Sequence, residues 1–182
     1  MKTFHFGEKK AFTLNELLIV MAIAMIAIGI SLFTLKDARQ RKEVEVSTIK
    51  LASIIKEIQN DSLVGKNQFN SGNSNKLEIA CFYGVQSDDG SIVQTYYQFK
   101  NLLGDCDYSV EKNFSTVEFK NTSFGSSGWY VSLSVPFGKV ETSTGSDLEI
   151  DVVSTINNSI KGKVCVSTQG NITDSYSDSN CN

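Results

Sequence analysis

One carboxylate, Glu16, stands at the head of the most apolar stretch of the chain, and no Lys or Arg lies inside that stretch to meet it. From Leu17 to Leu35 no ionisable residue occurs, and only Gly29, Ser31 and Thr34 interrupt the apolar sequence. A carboxylate carried into lipid costs on the order of 3 kcal/mol unless it is neutralised or paired. Glu16 therefore calls for a cation from elsewhere. The alternative is that it caps its own helix, where the helix dipole favours a negative charge.

The second chemically able set is Cys81, Cys106, Cys165 and Cys181, all of which follow the apolar run. An even number of cysteines in an oxidising compartment reads as disulfides, here two bonds with three pairings open. Loop locality favours Cys81–Cys106 with Cys165–Cys181, the second of which pins a polar tail. Zinc is the competing use, but the chain has no Cys-x-x-Cys pair and its one histidine, His5, precedes the apolar run. Asp88-Asp89 and Asp105-Cys106-Asp107 bring carboxylates together in turn-like sequence without the spacing of an EF-hand. Solvated turns are the expectation there, with calcium as the sharper alternative. With no histidine beyond His5 and no Gly-rich phosphate loop, neither an enzyme nor a cofactor or metal site is expected.

The elements that must position these residues follow from hydrophobicity. Leu17 to Leu35 as a helix reaches about 28 Å, close to the thickness of a bilayer's hydrocarbon core. The run is apolar around the whole helix, whereas helices of soluble domains keep a polar face. A secretory signal peptide is the main rival, with Lys9-Lys10 as its basic region and Ala22-Ile23-Ala24 as a small-x-small cleavage site. That site sits mid-run, however, and cleavage would leave Met25 to Leu35 as a greasy new terminus. Flanking charge does not fix orientation, because Lys2, Lys9 and Lys10 precede the run while Lys36, Arg39, Arg41 and Lys42 follow it.

The stretch Lys9-Lys10-Ala11-Phe12-Thr13-Leu14-Asn15-Glu16-Leu17-Leu18, followed by the long apolar run, resembles the prepilin signal of type IV pilins and type II secretion pseudopilins. The resemblance implies cleavage between Ala11 and Phe12 by a prepilin peptidase, which also N-methylates Phe12. It implies a leader and N-terminus in the cytoplasm, a single pass through the inner membrane, and an extracytoplasmic remainder. Glu16 becomes the fifth mature residue, paired during assembly with the α-amine of a neighbouring subunit's first residue; two groups costly to leave alone in lipid compensate each other. Other pilin or pseudopilin subunits and the inner-membrane assembly platform are the implied partners, besides the lipid bilayer. Two departures stand out: Ala11 replaces the usual Gly before the cut, and Phe33 occupies the place of a proline common in major pilins. The missing proline favours a minor subunit with a less kinked helix.

Beyond the membrane the helix is expected to continue to about Leu63. Val44, Leu51, Ile55 and Ile58 fall on one face, and Lys42, Glu43, Lys50, Lys56, Glu57 and Asp61 cover much of the rest. The apolar face is expected to pack on a sheet of the same subunit. Lys66 to Lys76 reads as a loop. Leu77–Tyr83, Ser91–Lys100, Thr116–Lys120, Trp129–Val135, Leu148–Val153 and Lys163–Ser167 read as strands of a largely antiparallel sheet. The fold class is thus α+β. It comprises leader 1–11, membrane helix 12–35, amphipathic helix 36–63 and an extracytoplasmic β-rich domain 64–182.

A second resemblance, to H-type minor pseudopilins, rests on Asp61-Ser62-Leu63-Val64-Gly65-Lys66, Phe82-Tyr83-Gly84-Val85 and Gly162-Lys163-Val164-Cys165-Val166-Ser167-Thr168-Gln169-Gly170. Nucleic acid is not an expected partner. Loss of residues 1–11 removes three lysines and one glutamate and takes the formal charge from −3 to −5, which repels phosphate. Lys36, Arg39, Arg41 and Lys42 sit where lipid headgroups are the nearer explanation. The rival function is a membrane-anchored adhesin or binding module that never enters a filament.

Overall fold

A computed structural model of the chain describes residues 13–65, 67–70, 76–99, 106, 113–135, 138–176 and 181. It has one long N-terminal helix, α1 (Leu14–Val64), followed by antiparallel β-sheets, and so is α+β. The chain divides into two compact units between Arg39 and Gln40.

In the first unit α1 carries the apolar run. Its described large apolar side chains lie open, from Leu17 at 51% to Met25 at 71% exposure. No interruption marks Phe33, where α1 continues as regular helix. Without proline every backbone N–H in this stretch remains available to the i→i−4 ladder.

In the second unit the helical segment becomes one-sided. Val44, Leu51 and Ile55 are fully buried and Ile58 is 4% exposed, as their spacing predicts. α1 stops at Val64 because Gly65 takes φ = 62°, the left-handed conformation that closes helices and that a side chain disfavours.

The strands are β1 (Asn67–Asn70), β2 (Lys76–Ile79), β3 (Phe82–Ser87), β4 (Ile92–Gln98), β5 (Asn113–Glu118) and β6 (Thr122–Phe124), then β7 (Trp129–Ser134), β8 (Val140–Thr142), β9 (Leu148–Ser154), β10 (Lys161–Val166) and β11 (Ile172–Tyr176). They form a β1-β2 hairpin, a five-stranded sheet in the order β5-β4-β3-β7-β8 and a four-stranded sheet in the order β11-β10-β9-β6. Every pairing is antiparallel.

Three sequence expectations need correction. The Lys66–Lys76 loop contains β1, paired from Asn67↔Ile79 to Asn70↔Lys76. The single strand expected over Leu77–Tyr83 is two strands in different sheets. Between them the Cys81 N–H donates to the Gln98 carbonyl at 2.6 Å and the Cys81 carbonyl accepts from Val135 N–H at 2.9 Å, which commits the chain to a new ladder. The polar tail after Ser167, outside the expected strands, contains β11, which pairs along β10 from Val166↔Ile172 to Gly162↔Tyr176.

One core joins the helix and both larger sheets: Leu51 and Ile55 of α1, Tyr83, Val131 and Leu133 of the five-stranded sheet, and Ile150, Val152 and Val164 of the four-stranded sheet. Phe124 stands edge-on to Phe119 (centroids 5.3 Å apart) and to Trp129 (5.7 Å), closing one side of it. The helix meets the four-stranded sheet through a graded set of polar contacts. Thr122 Oγ1 donates to Ser47 Oγ (3.2 Å), Lys56 pairs with Asp174 (3.6 Å) and Gln59 Nε2 donates to the Gly170 carbonyl (2.8 Å). Helix and sheet are thereby held in one register along their common length.

Candidate functional site

Glu16 lies in the first turn of α1 and forms a capping box with Thr13. Glu16 N–H donates to Thr13 Oγ1 at 3.3 Å, while Thr13 Oγ1 and Thr13 N–H reach Glu16 Oε2 at 3.4 and 3.5 Å. The Thr-x-x-Glu spacing permits this reciprocal arrangement, since the fourth residue reaches back to the backbone that opens the helix. Within a single chain, then, the carboxylate does what the alternative reading expects: it caps its own helix. The contacts are long for hydrogen bonds and both residues are exposed, so a stronger donor can compete for the same oxygen. Lys9, Lys10, Ala11 and Phe12, the leader and cleavage residues, lie outside the described residues.

After Glu16, α1 presents an apolar stretch long enough to cross a bilayer, and none of its described side chains is buried within the protein. Lys36, Arg39, Arg41 and Lys42 follow on exposed positions. Of these, Lys42 pairs with Glu45 at 3.0 Å.

The four cysteines form Cys81–Cys106 and Cys165–Cys181, the pairing that loop locality favours, with Cα–Cα separations of 5.9 and 5.7 Å. They close loops of 25 and 16 residues, each of which restricts the unfolded chain by about 3 kcal/mol on the loop-entropy model. Cys165–Cys181 holds Cys181 beside Glu149. The Glu149 carboxyl titrates below its ordinary range, chiefly through the hydrogen bond from Lys163 at 2.8 Å.

The remaining carboxylate candidates separate. Asp89 is a turn residue: its Oδ1 accepts from Ser91 N–H and Ile92 N–H, both at 3.0 Å, and these two bonds hold its carboxyl below the usual range. Asp88, its neighbour, is exposed, and Asp105 and Asp107 lie outside the described residues. Among the described residues no group of three or more His, Cys, Asp and Glu is arranged to hold a metal ion. The most perturbed tyrosine is Tyr83, fully buried and pushed up to about 12 by that burial and, secondarily, by the Asp61 charge. It is a core residue, edge-on to Tyr97 at 5.3 Å.

Sequence reasoning did not single out Ile156, an apolar residue 65% exposed in the turn between β9 and β10. The available signal was one isoleucine set among Thr155, Asn157, Asn158 and Ser159. No protein-family model, curated protein or solved structure matches this chain.

Proposed function

We propose that the chain is a type IV pilin-like subunit, a minor pilin or pseudopilin, that is cut between Ala11 and Phe12, N-methylated on Phe12 and drawn from the cytoplasmic membrane into an extracytoplasmic filament. The observation that carries the reading is Glu16: a lone acid, fifth after a Lys-Lys-Ala/Phe junction, opening a helix that is apolar and exposed on every side. A helix of this kind needs other helices or lipid around it, and an acid in that setting needs a cation. A neighbouring subunit's Phe12 amine is a stronger donor than the Thr13 groups that now contact it at 3.4–3.5 Å. Assembly is thereby the mechanism. Apolar helices supply the contact area and the Glu16–amine pair sets the register between subunits.

The disulfides fit an extracytoplasmic domain, since such bonds persist in oxidising compartments. The implied partners are a prepilin peptidase, fellow pilin or pseudopilin subunits and an inner-membrane assembly platform. The alternative is a single-pass adhesin or binding module that keeps its leader and stays outside any filament. Intact mass of the membrane-purified protein separates the two. The pilin reading requires a chain beginning at N-methyl-Phe12 and lighter by two hydrogens per disulfide, and a chain that keeps Met1 refutes it.

A further inference from the structure

The turn Thr155–Ser159 connects β9 to β10 and is exposed throughout, yet its backbone is tightly fixed. Ser154 Oγ accepts from Ile156 N–H and Asn157 N–H, both at 3.3 Å, and Asn157 Oδ1 accepts from Ser159 N–H at 3.1 Å. Ser154 N–H donates to the Ile160 carbonyl (3.1 Å) and Ile160 N–H to the Asn157 carbonyl (3.0 Å). Ile160 is buried by this arrangement and Ile156 is held outward. Among the described strand connections no large apolar residue is more exposed.

The turn's place in the fold gives that exposure a direction. Thr155 N–H donates to the Asn121 carbonyl at 3.1 Å, and Asn121 Nδ2 donates to Glu43 Oε2 at 3.4 Å. One step along, Thr122 pairs with Ser154 and bonds Ser47. The far end of the same sheet meets α1 at Gln59. The turn therefore lies at the end of the folded unit where its helical segment begins. Glu43 follows Leu35, the last residue of the apolar run, by eight positions in the chain, a tether of at most about 28 Å. The polar layer of a bilayer adds about 5–8 Å beyond the hydrocarbon on each side. This end also carries exposed Arg41, Lys120 and Lys161, while Lys42 is paired with Glu45 at 3.0 Å and the Glu43 carboxylate accepts from Asn121.

We propose that this end of the β-domain is a lipid-contact surface, with Ile156 inserted among the headgroups of an anionic bilayer and Lys120, Lys161 and Arg41 set against lipid phosphates. The inference rests on the membrane-spanning part of the function proposed above and is independent of filament assembly. An apolar tip ringed by cations is the composition that binds interfaces, through area buried among headgroups plus attraction to anionic lipid. Before export into a filament, the subunit would rest with its folded domain seated on the leaflet rather than free above it.

The test uses the full-length protein in phosphatidylcholine vesicles, with or without phosphatidylglycerol, containing lipids brominated high on the acyl chain. Trp129, the only tryptophan, is 2% exposed in the protein core and provides the reference emission. In Ile156→Trp the added emission is expected to be blue-shifted and quenched about twofold by brominated lipid, more strongly with phosphatidylglycerol present. Lys120→Glu with Lys161→Glu in that background should abolish the phosphatidylglycerol dependence. Met25→Trp, in the middle of the apolar run, is the control, read with lipids brominated deep in the chain. If Met25→Trp is quenched and the Ile156→Trp emission is unquenched and solvent-like, the lipid contact is refuted while the span stands. If Met25→Trp is itself unquenched, the span fails and the proposal fails with it. Hydrogen exchange at residues 155–160, slower in anionic than in zwitterionic vesicles, is the expected result without any substitution; equal rates count against the contact.

Discussion

Thr48 of α1 rests directly on Gly162 of β10, with no room between them for a methyl group. A Cβ on Gly162 would lie 3.2 Å from Thr48 Cβ, 3.3 Å from its Cγ2 and closer still to its hydroxyl oxygen. That oxygen is committed in turn, donating to the Val44 carbonyl one turn earlier at 2.8 Å. The contact sets how near the helix approaches the four-stranded sheet.

Gly162→Ala should therefore cost about 1–3 kcal/mol, the usual penalty for forcing an extra carbon into a packed interior. Thermal or denaturant unfolding measures it. Thr48→Ala in the same molecule removes the hydroxyl oxygen and Cγ2, two of the three close atoms, and should recover part of the loss. A double variant no more stable than the additive sum of the two singles would contradict the contact.

Glu16 offers two variants with different meanings. Glu16→Gln keeps a side chain able to close the capping box with Thr13 but removes the charge; Glu16→Ala removes both. Membrane insertion, measured by carbonate extraction, should be normal for each. Filament incorporation should fall for both if the carboxylate pairs with a neighbour's amine. Normal incorporation of Glu16→Gln alongside failure of Glu16→Ala would leave helix capping as the whole role.

The carboxylates and the buried tyrosine make opposite predictions about pH. Asp89 and Glu149 are depressed in the folded protein, so their stabilisation is present above the unfolded carboxylate range and is lost as pH falls through the folded values. Tyr83 is raised to about 12, so its contribution is complete below about 10 and is lost between roughly 10 and 12. Absorbance titration of the six tyrosines should show a late-ionising component, to which buried Tyr96 also contributes, that Tyr83→Phe reduces.

Replacing Cys165 and Cys181 with serine should lower stability by about 2–4 kcal/mol. The tail should nonetheless stay in place, because β11 is paired to β10 over five residues. Hydrogen exchange at Thr173 to Ser175 reads this directly. Full loss of protection there, with the rest of the domain folded, would show that the disulfide and not the ladder holds the strand.

The helix was legible in the sequence because its two halves carry different and strong signals: unbroken apolarity as far as Leu35, then the spacing of Val44, Leu51, Ile55 and Ile58. β7 was legible through the alternation of Trp129, Val131 and Leu133, all buried, with Tyr130 exposed. The strands that escaped notice are short or polar. β6 and β8 have three residues each, and β11 is Ile-Thr-Asp-Ser-Tyr with little to bury. Their pairing is set by neighbouring strands and not by their own hydrophobicity. The break at Cys81 is likewise a product of tertiary hydrogen bonds. At the candidate site the anomaly of Glu16 and its capping of its own helix were legible in the sequence, although the Thr-x-x-Glu spacing that closes the box was not singled out. Ile156 gave no periodic signal because its exposure is defined by the turn around it.

β11 and Cys181 come after everything they bind in the order of synthesis. Neither the last ladder of the four-stranded sheet nor its covalent clasp can close until those residues have been made. A chain halted before Ile172 would expose the edge of β10, with Cys165 unpaired. Completion of the fold thus waits on residues 172–181, and an intermediate halted earlier would present a free thiol and an open strand edge.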